Sequence, residues 1–192
     1  MAHEVVTRTF EILKAISAET DITFWGADEI LRSPCAEVTE ADFKNGMVDR
    51  VAAKLEKNLK FYRDKTGIGR GIAAPQVGEN LRIITIYLND IFETLINPVI
   101  IRRSQEDAIY REGCLSSLPL TARVVRPHLL TVDYLTPDGR QVTKQCNEIE
   151  SRLLGHELDH LDGIWFADKA APGTLRMVYD LKSLLSEKLE LI

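Results

Sequence analysis

The chain has 192 residues, 45% apolar and 28% charged, with eleven Gly and seven Pro, which is the composition of a folded single domain and excludes a disordered or collagen-like chain. Its net charge of −5 with His neutral gives no reason to expect a nucleic acid or an anionic membrane as partner. Three cysteines, Cys35, Cys114 and Cys146, form no CxxC pair and no even disulfide framework, so a reducing, cytoplasmic setting is expected. The apolar run at residues 83–88 is far too short to span a membrane, and Glu4, Glu11 and Glu19 argue against a signal or transit peptide.

In chain order, residues 4–17 place Val5, Phe10, Leu13 and Ile16 at loosely helical spacing. Residues 42–64 read more firmly as one helix, with Met47, Val51, Leu55 and Leu59 four apart. The glycines at 67, 69 and 71 and the Pro75 to Gly78 stretch break it, and residues 81–88, rich in β-branched side chains, read as a strand. Further extended segments are expected at 96–102, 108–115 and 123–134. Thr136-Pro137-Asp138-Gly139 then turns the chain into a returning strand at 140–146. Asn147 with Glu150 three residues on is a capping box for a helix running to about Asp162. A last helix is expected from about Thr174 to the end, presenting Leu175, Val178, Leu181, Leu185 and Leu189. The fold class is α+β, with antiparallel strands packed around the capped helix.

That helix contains His156-Glu157-Leu158-Asp159-His160, an H-E-x-x-H. Residues four apart share a helix face, so two imidazoles can hold one metal while Glu157 reaches a water on it. The histidines continue an apolar stripe of Ile149, Leu153 and Ile164, which points them inward; Leu154, Leu158, Leu161 and Trp165 form a second stripe. Two ligands leave a third to be found. Phe166 stands where an extended metzincin motif needs His, which excludes that subclass. Glu187 and Cys114 both remain candidates, the latter in Glu112-Gly113-Cys114-Leu115-Ser116.

Three motifs in order, Gly69-Arg70-Gly71-Ile72-Ala73-Ala74-Pro75-Gln76, then Glu112 to Ser116, then His156 to His160, resemble those of the peptide deformylases. The likeness runs from about Asp28 to Ala170 and includes Ile96-Asn97-Pro98, leaving residues 1–20 as an extension ahead of a single metallohydrolase domain at 21–192. It implies that Cys114, His156 and His160 hold a divalent metal, Fe²⁺ in the usual native form, with Zn²⁺, Ni²⁺ and Co²⁺ also suited to these ligands. It further implies that Glu157 is general base and then acid in removing the N-formyl group from the N-terminal methionine of newly made polypeptides. In this likeness Gln76 and the Leu115 N–H stabilise the oxyanion, and Gly69, Arg70, Gly71, Ile72, Glu112 and Gly113 bind the formylated peptide. A dinucleotide-binding reading of Gly69, Gly71 and Ala74 fails because a helix, not a strand, precedes them.

The chain departs from the family at Arg70, at Gly155 where Gln is usual, and at Ser117-Leu118, which adds a residue before Pro119. These leave three readings open: a deformylase, a relative with shifted substrate or lost catalysis, and another HExxH metallopeptidase using Glu187. Glu112 and Arg126 are expected to pair, with paired charge reversal restoring what each single reversal loses. Arg176, Lys182 and Lys188 are offset by Asp180, Glu187 and Glu190, so charge does not support a ribosome contact, and a monomer is expected.

Overall fold

The computed structural model describes residues 2–26, 29–180 and 190–191. Helix α1 (Ala2–Glu19) comes first; the expected second helix is two, α2 (Glu40–Lys44) and α3 (Met47–Thr66). The break falls at Asn45-Gly46, where Gly46 takes φ +76°, a left-handed conformation outside any α-helix. Gly67, also left-handed at φ +73°, ends α3 by donating its N–H to Arg63 O at 2.7 Å.

Seven strands follow: β1 (Gly71–Ala73), β2 (Ile83–Leu88), β3 (Ile91–Arg103), β4 (Asp107–Gly113), β5 (Leu120–Pro127), β6 (Leu130–Leu135) and β7 (Gln141–Gln145). The single strand expected at 123–134 is thus divided at His128-Leu129. Its first half pairs with β4 and its second with β3 and β7, in different sheets. Alternating hydrophobicity on either side of His128 hides such a crossing, because both halves read as strand. One antiparallel sheet has the order β1-β2-β3-β6-β7. At Asn97, φ +48°, the β3 to β6 register shifts and the amide side chain pairs with both backbone groups of Val38 at 2.8 Å, as a neighbouring strand would.

After helix α4 (Glu148–Leu161), the chain adds β8 (Arg176–Met177) and β9 (Glu190–Leu191), which complete a second sheet in the order β8-β5-β4-β9. The helix expected from Thr174 is corrected here: Met177 and Arg176 pair with Leu120 and Thr121 on the free edge of β5. Leu175 and Met177 are exposed, so no apolar helix face forms there. Residues 181–189, with Leu181, Leu185, Leu189 and Glu187, lie outside the described residues.

The centre of the first sheet is buried on both faces. Ile83 and Ile96 pack with Val51, Leu55 and Leu59 of α3, while their neighbours Ile84 and Leu95 pack with Leu154, Leu158 and Leu161 of α4. Ile16 of α1, fully buried, joins the α3 side. Among the described residues no helix is long and apolar enough to cross a membrane.

Candidate active site

Helix α4 begins as its sequence demands: Asn147 Oδ1 accepts from Glu150 N–H and Glu150 Oε2 from Asn147 N–H, both at 3.0 Å. Its leucines are buried against the first sheet, which turns His156 and His160 toward β4 and β5. There the strand β4 ends and Cys114 follows it, fully enclosed. The potential ligand atoms of Cys114, His156 and His160 all lie within 4.8 Å of one another, with Cys114 Sγ 3.2 Å from His160 Nε2. The geometry brings Cys114, one of the two third-ligand candidates, to the histidines; the other, Glu187, lies outside the described residues. Ile149, expected to continue their inward stripe, is instead about half exposed at the mouth of the adjoining cavity.

The imidazoles sit in different surroundings. His156 Nδ1 lies 2.8 Å from Glu112 Oε2, which leaves Nε2 for the cluster, the orientation that fixes a ligating histidine. Burial works against its charged form, but Cys114 and Glu112 outweigh that and raise its pKa. His160 Nδ1 is buried without a hydrogen-bond partner, and burial, with the charge of His156, holds His160 well below the usual imidazole range. The Trp25 ring stacks on His160 with centroids 5.9 Å apart, and Phe166 on His156 at 6.0 Å.

Glu112 anchors this arrangement. Arg126 donates to its two oxygens at 2.6 and 2.8 Å, to Asp159 Oδ2 at 2.8 Å and to Gly155 O at 3.0 Å. Burial would raise the Glu112 carboxyl, but Arg126 and His156 prevail and hold it far below the carboxylate range. The expected pair is therefore present, as part of a larger network. A Cβ on Gly155 would stand 3.3 Å from Arg126 Cδ, so a side chain there would press on this network.

Glu157 is buried beside the cluster with Oε2 unpartnered, and burial pushes its pKa up to about 7. Gly71 makes room for it, since a Cβ there would fall 2.4 Å from Glu157 Oε1. Gly71→Ala is expected to move this carboxyl and lower kcat by about 10²-fold with little loss of thermal stability, measured by formate release alongside a melting curve. Gln76, fully buried, accepts Ala73 N–H at 2.8 Å through Oε1, which aims Nε2 at Cys114 Sγ, 3.4 Å away, and at Ser116 Oγ, 3.0 Å away.

A cavity of about 350 Å³ opens beside the cluster, lined in part by Gly69, Arg70, Gly71, Glu112, Gly113 and Leu115. Ile72, expected to bind peptide, points away into the core around α3. Glu112 lines the cavity, but both its oxygens are occupied by Arg126 and His156. Sequence reasoning missed Arg152, whose signal was its place one turn before His156 on the same helix face, and Trp25, which nothing in the sequence tied to the site. The chain before Trp25 also laces the site together, Thr23 N–H donating to Gln76 O at 2.7 Å and Trp25 N–H to Ser116 O at 2.9 Å.

The family model for polypeptide deformylase matches residues 21–175. A peptide deformylase of Treponema pallidum is 41% identical over 141 residues, covering 73% of this chain and 85% of its own. The actinonin-bound class I type b peptide deformylase of Acinetobacter baumannii superposes with a TM-score of 0.71 at 30% identity, covering 79% of this chain and 98% of its own. The Met-Ala-Ser-bound form of the Acinetobacter enzyme gives 0.69 at 28%, covering 77% and 96%. The chain belongs to the peptide deformylase family, metal-dependent hydrolases that remove the N-formyl group from nascent peptides.

Proposed function

We propose that Cys114, His156 and His160 hold a single divalent metal, Fe²⁺ in the native protein, and that Glu157 carries the protons of deformylation. The observation behind this reading is the close cluster of one sulfur and two imidazole donors beside a buried carboxyl with a free oxygen. The donor set fits such an ion: thiolate and imidazole suit Fe²⁺, Zn²⁺, Co²⁺ and Ni²⁺. When bound, the metal supplies the Lewis acidity that brings the pKa of water toward ~7.

The chain's own residues do the rest. Glu157, poised near neutrality, accepts the proton of the attacking water and returns it to the departing amine nitrogen. Gln76 Nε2, fixed through its own carbonyl, and the N–H of Leu115 donate to the formyl oxygen as it gains charge. Gly69, Arg70, Gly71 and Gly113 present backbone along the cavity for an extended peptide. Residues 21–192 act as one domain in the cytoplasm as a monomer, with residues 1–20 an extension packed through Ile16 on the same core.

Anaerobically prepared, Fe²⁺-loaded protein is expected to release formate from a formyl-Met tripeptide. Cys114→Ser is expected to weaken metal binding by more than the roughly 10–100-fold that losing an outer-shell partner costs, read by metal analysis after dialysis. Retention of a full equivalent of metal by Cys114→Ser would refute the assignment of the third ligand.

A further inference from the structure

The cavity beside the cluster has an apolar part, Tyr110, Ile149 and Leu153, and a cationic part, Arg70 and Arg152. Arg152 lies one turn before His156 on α4, so its side chain leaves the helix on the side of the reacting groups. One arm is fixed: Nη2 donates to Arg111 O at 2.6 Å, and the guanidinium carbon sits 5.1 Å from the Tyr110 ring centre. Neither Arg152 nor Arg70 forms a salt bridge with any described residue, in contrast to the neighbouring Arg126. Burial lowers the pKa of Arg152, opposed by Glu112 and aided by Arg70.

The acidic groups around the cavity do not pair with either cation. Glu112 is taken up by Arg126 and His156. Glu148, half exposed, stands 2.9 Å from His128, and Glu157 forms no salt bridge with either arginine. The third arginine in the lining, Arg111, is turned to Thr174 O and Thr121 Oγ1. A ligand entering the cavity therefore meets the Arg152 guanidinium with donors to spare, within the field of Arg70.

We infer that this cavity accepts a second class of substrate, N-formyl compounds whose first side chain carries a carboxylate, with Arg152 receiving that carboxylate and Arg70 adding to the field. The inference rests on the deformylase reading of the same site. The reaction is unchanged: water adds across the formamide C–N bond, its oxygen leaves in formate and the amine nitrogen gains the proton. A guanidinium that pairs with the side chain in a confined space discriminates against the neutral isostere, because that substrate leaves the cation unpaired.

The test compares formyl-Glu-Ala-Ser with formyl-Gln-Ala-Ser, of nearly the same size and shape, and with formyl-Met-Ala-Ser. Metal-loaded wild type, Arg152→Met and the milder Arg152→Gln are assayed for formate release, and binding of the three unformylated tripeptides is followed by calorimetry. In wild type kcat/KM is expected to favour Glu over Gln by about tenfold or more, with the same order in binding. Both variants are expected to bring that ratio close to one and to raise the ratio of Met to Glu. Glu no better than Gln in wild type overturns the inference, and a preference that survives in both variants overturns the role of Arg152. If Arg152→Met does not fold, Arg152→Gln and the wild-type ratio decide. Absence of formate from all three peptides would instead count against the deformylase reading, and the calorimetric order of Glu and Gln would still decide this one.

Discussion

Glu157→Gln is expected to lower kcat for formate release by roughly 10²–10⁴-fold while leaving about one metal bound per chain. The two side chains have nearly the same shape, and Glu157 has no hydrogen bond to its Oε2 that an amide would break, so the fold tolerates the change. What is lost is the proton carrier. A carboxyl whose pKa burial pushes up to about 7 can take a proton in one step and return it in the next, and an amide does neither. Formate release within tenfold of wild type, with metal content equal in both proteins, would show that another group moves the proton.

The second large effect is on stability. Arg126→Met is expected to cost about 3–5 kcal/mol in urea unfolding, because it leaves the buried Glu112 carboxylate with His156 as its one remaining side-chain partner, leaves Asp159 to Lys169 and frees Gly155 O. The structure also changes the outcome expected for paired charge reversal. Glu112→Arg with Arg126→Glu would set a carboxylate against Asp159 and a cation against His156, so the double variant should not regain what the single ones lose. The pH dependence has a definite sign. Glu112 is held below its unfolded value, near ~4.3, so its stabilising share is present above that value and is lost as the pH falls through the lower folded pKa. Arg126→Met removes the main cause of that depression, and the acid limb of the stability curve should become shallower.

Much of the site could be read in the sequence because its chemistry is local. The two histidines and Glu157 occupy one stretch of helix whose start is written in Asn147 and Glu150, so a 3.6-residue period was enough to align them. The pairing of Glu112 with Arg126 was also visible, though not its branches to Asp159 and Gly155. What escaped was decided by tertiary contact. Residues 123–134 alternate as one strand would, and only the two different partner strands reveal that the chain changes sheets at His128. Arg176 and Met177 belong to a segment with helical spacing of leucines, yet the unpaired edge of β5 draws their backbone into strand. Arg152 was passed over because an arginine on a helix ordinarily faces water, and the cavity that receives it is built by β4 as much as by α4.

The division of the proposed ligand cluster between Cys114 at the end of β4 and the histidines of α4 also orders events during synthesis. By the time Cys114 has been made, the chain has no second sheet to hold it, since β5 is still to come, and no imidazole to share an ion with it. On the proposed ligand set, activity arises only after His160 has cleared the exit tunnel and α4 has docked between the sheets. A nascent chain of this protein is thus a substrate candidate for finished copies well before it is itself an enzyme.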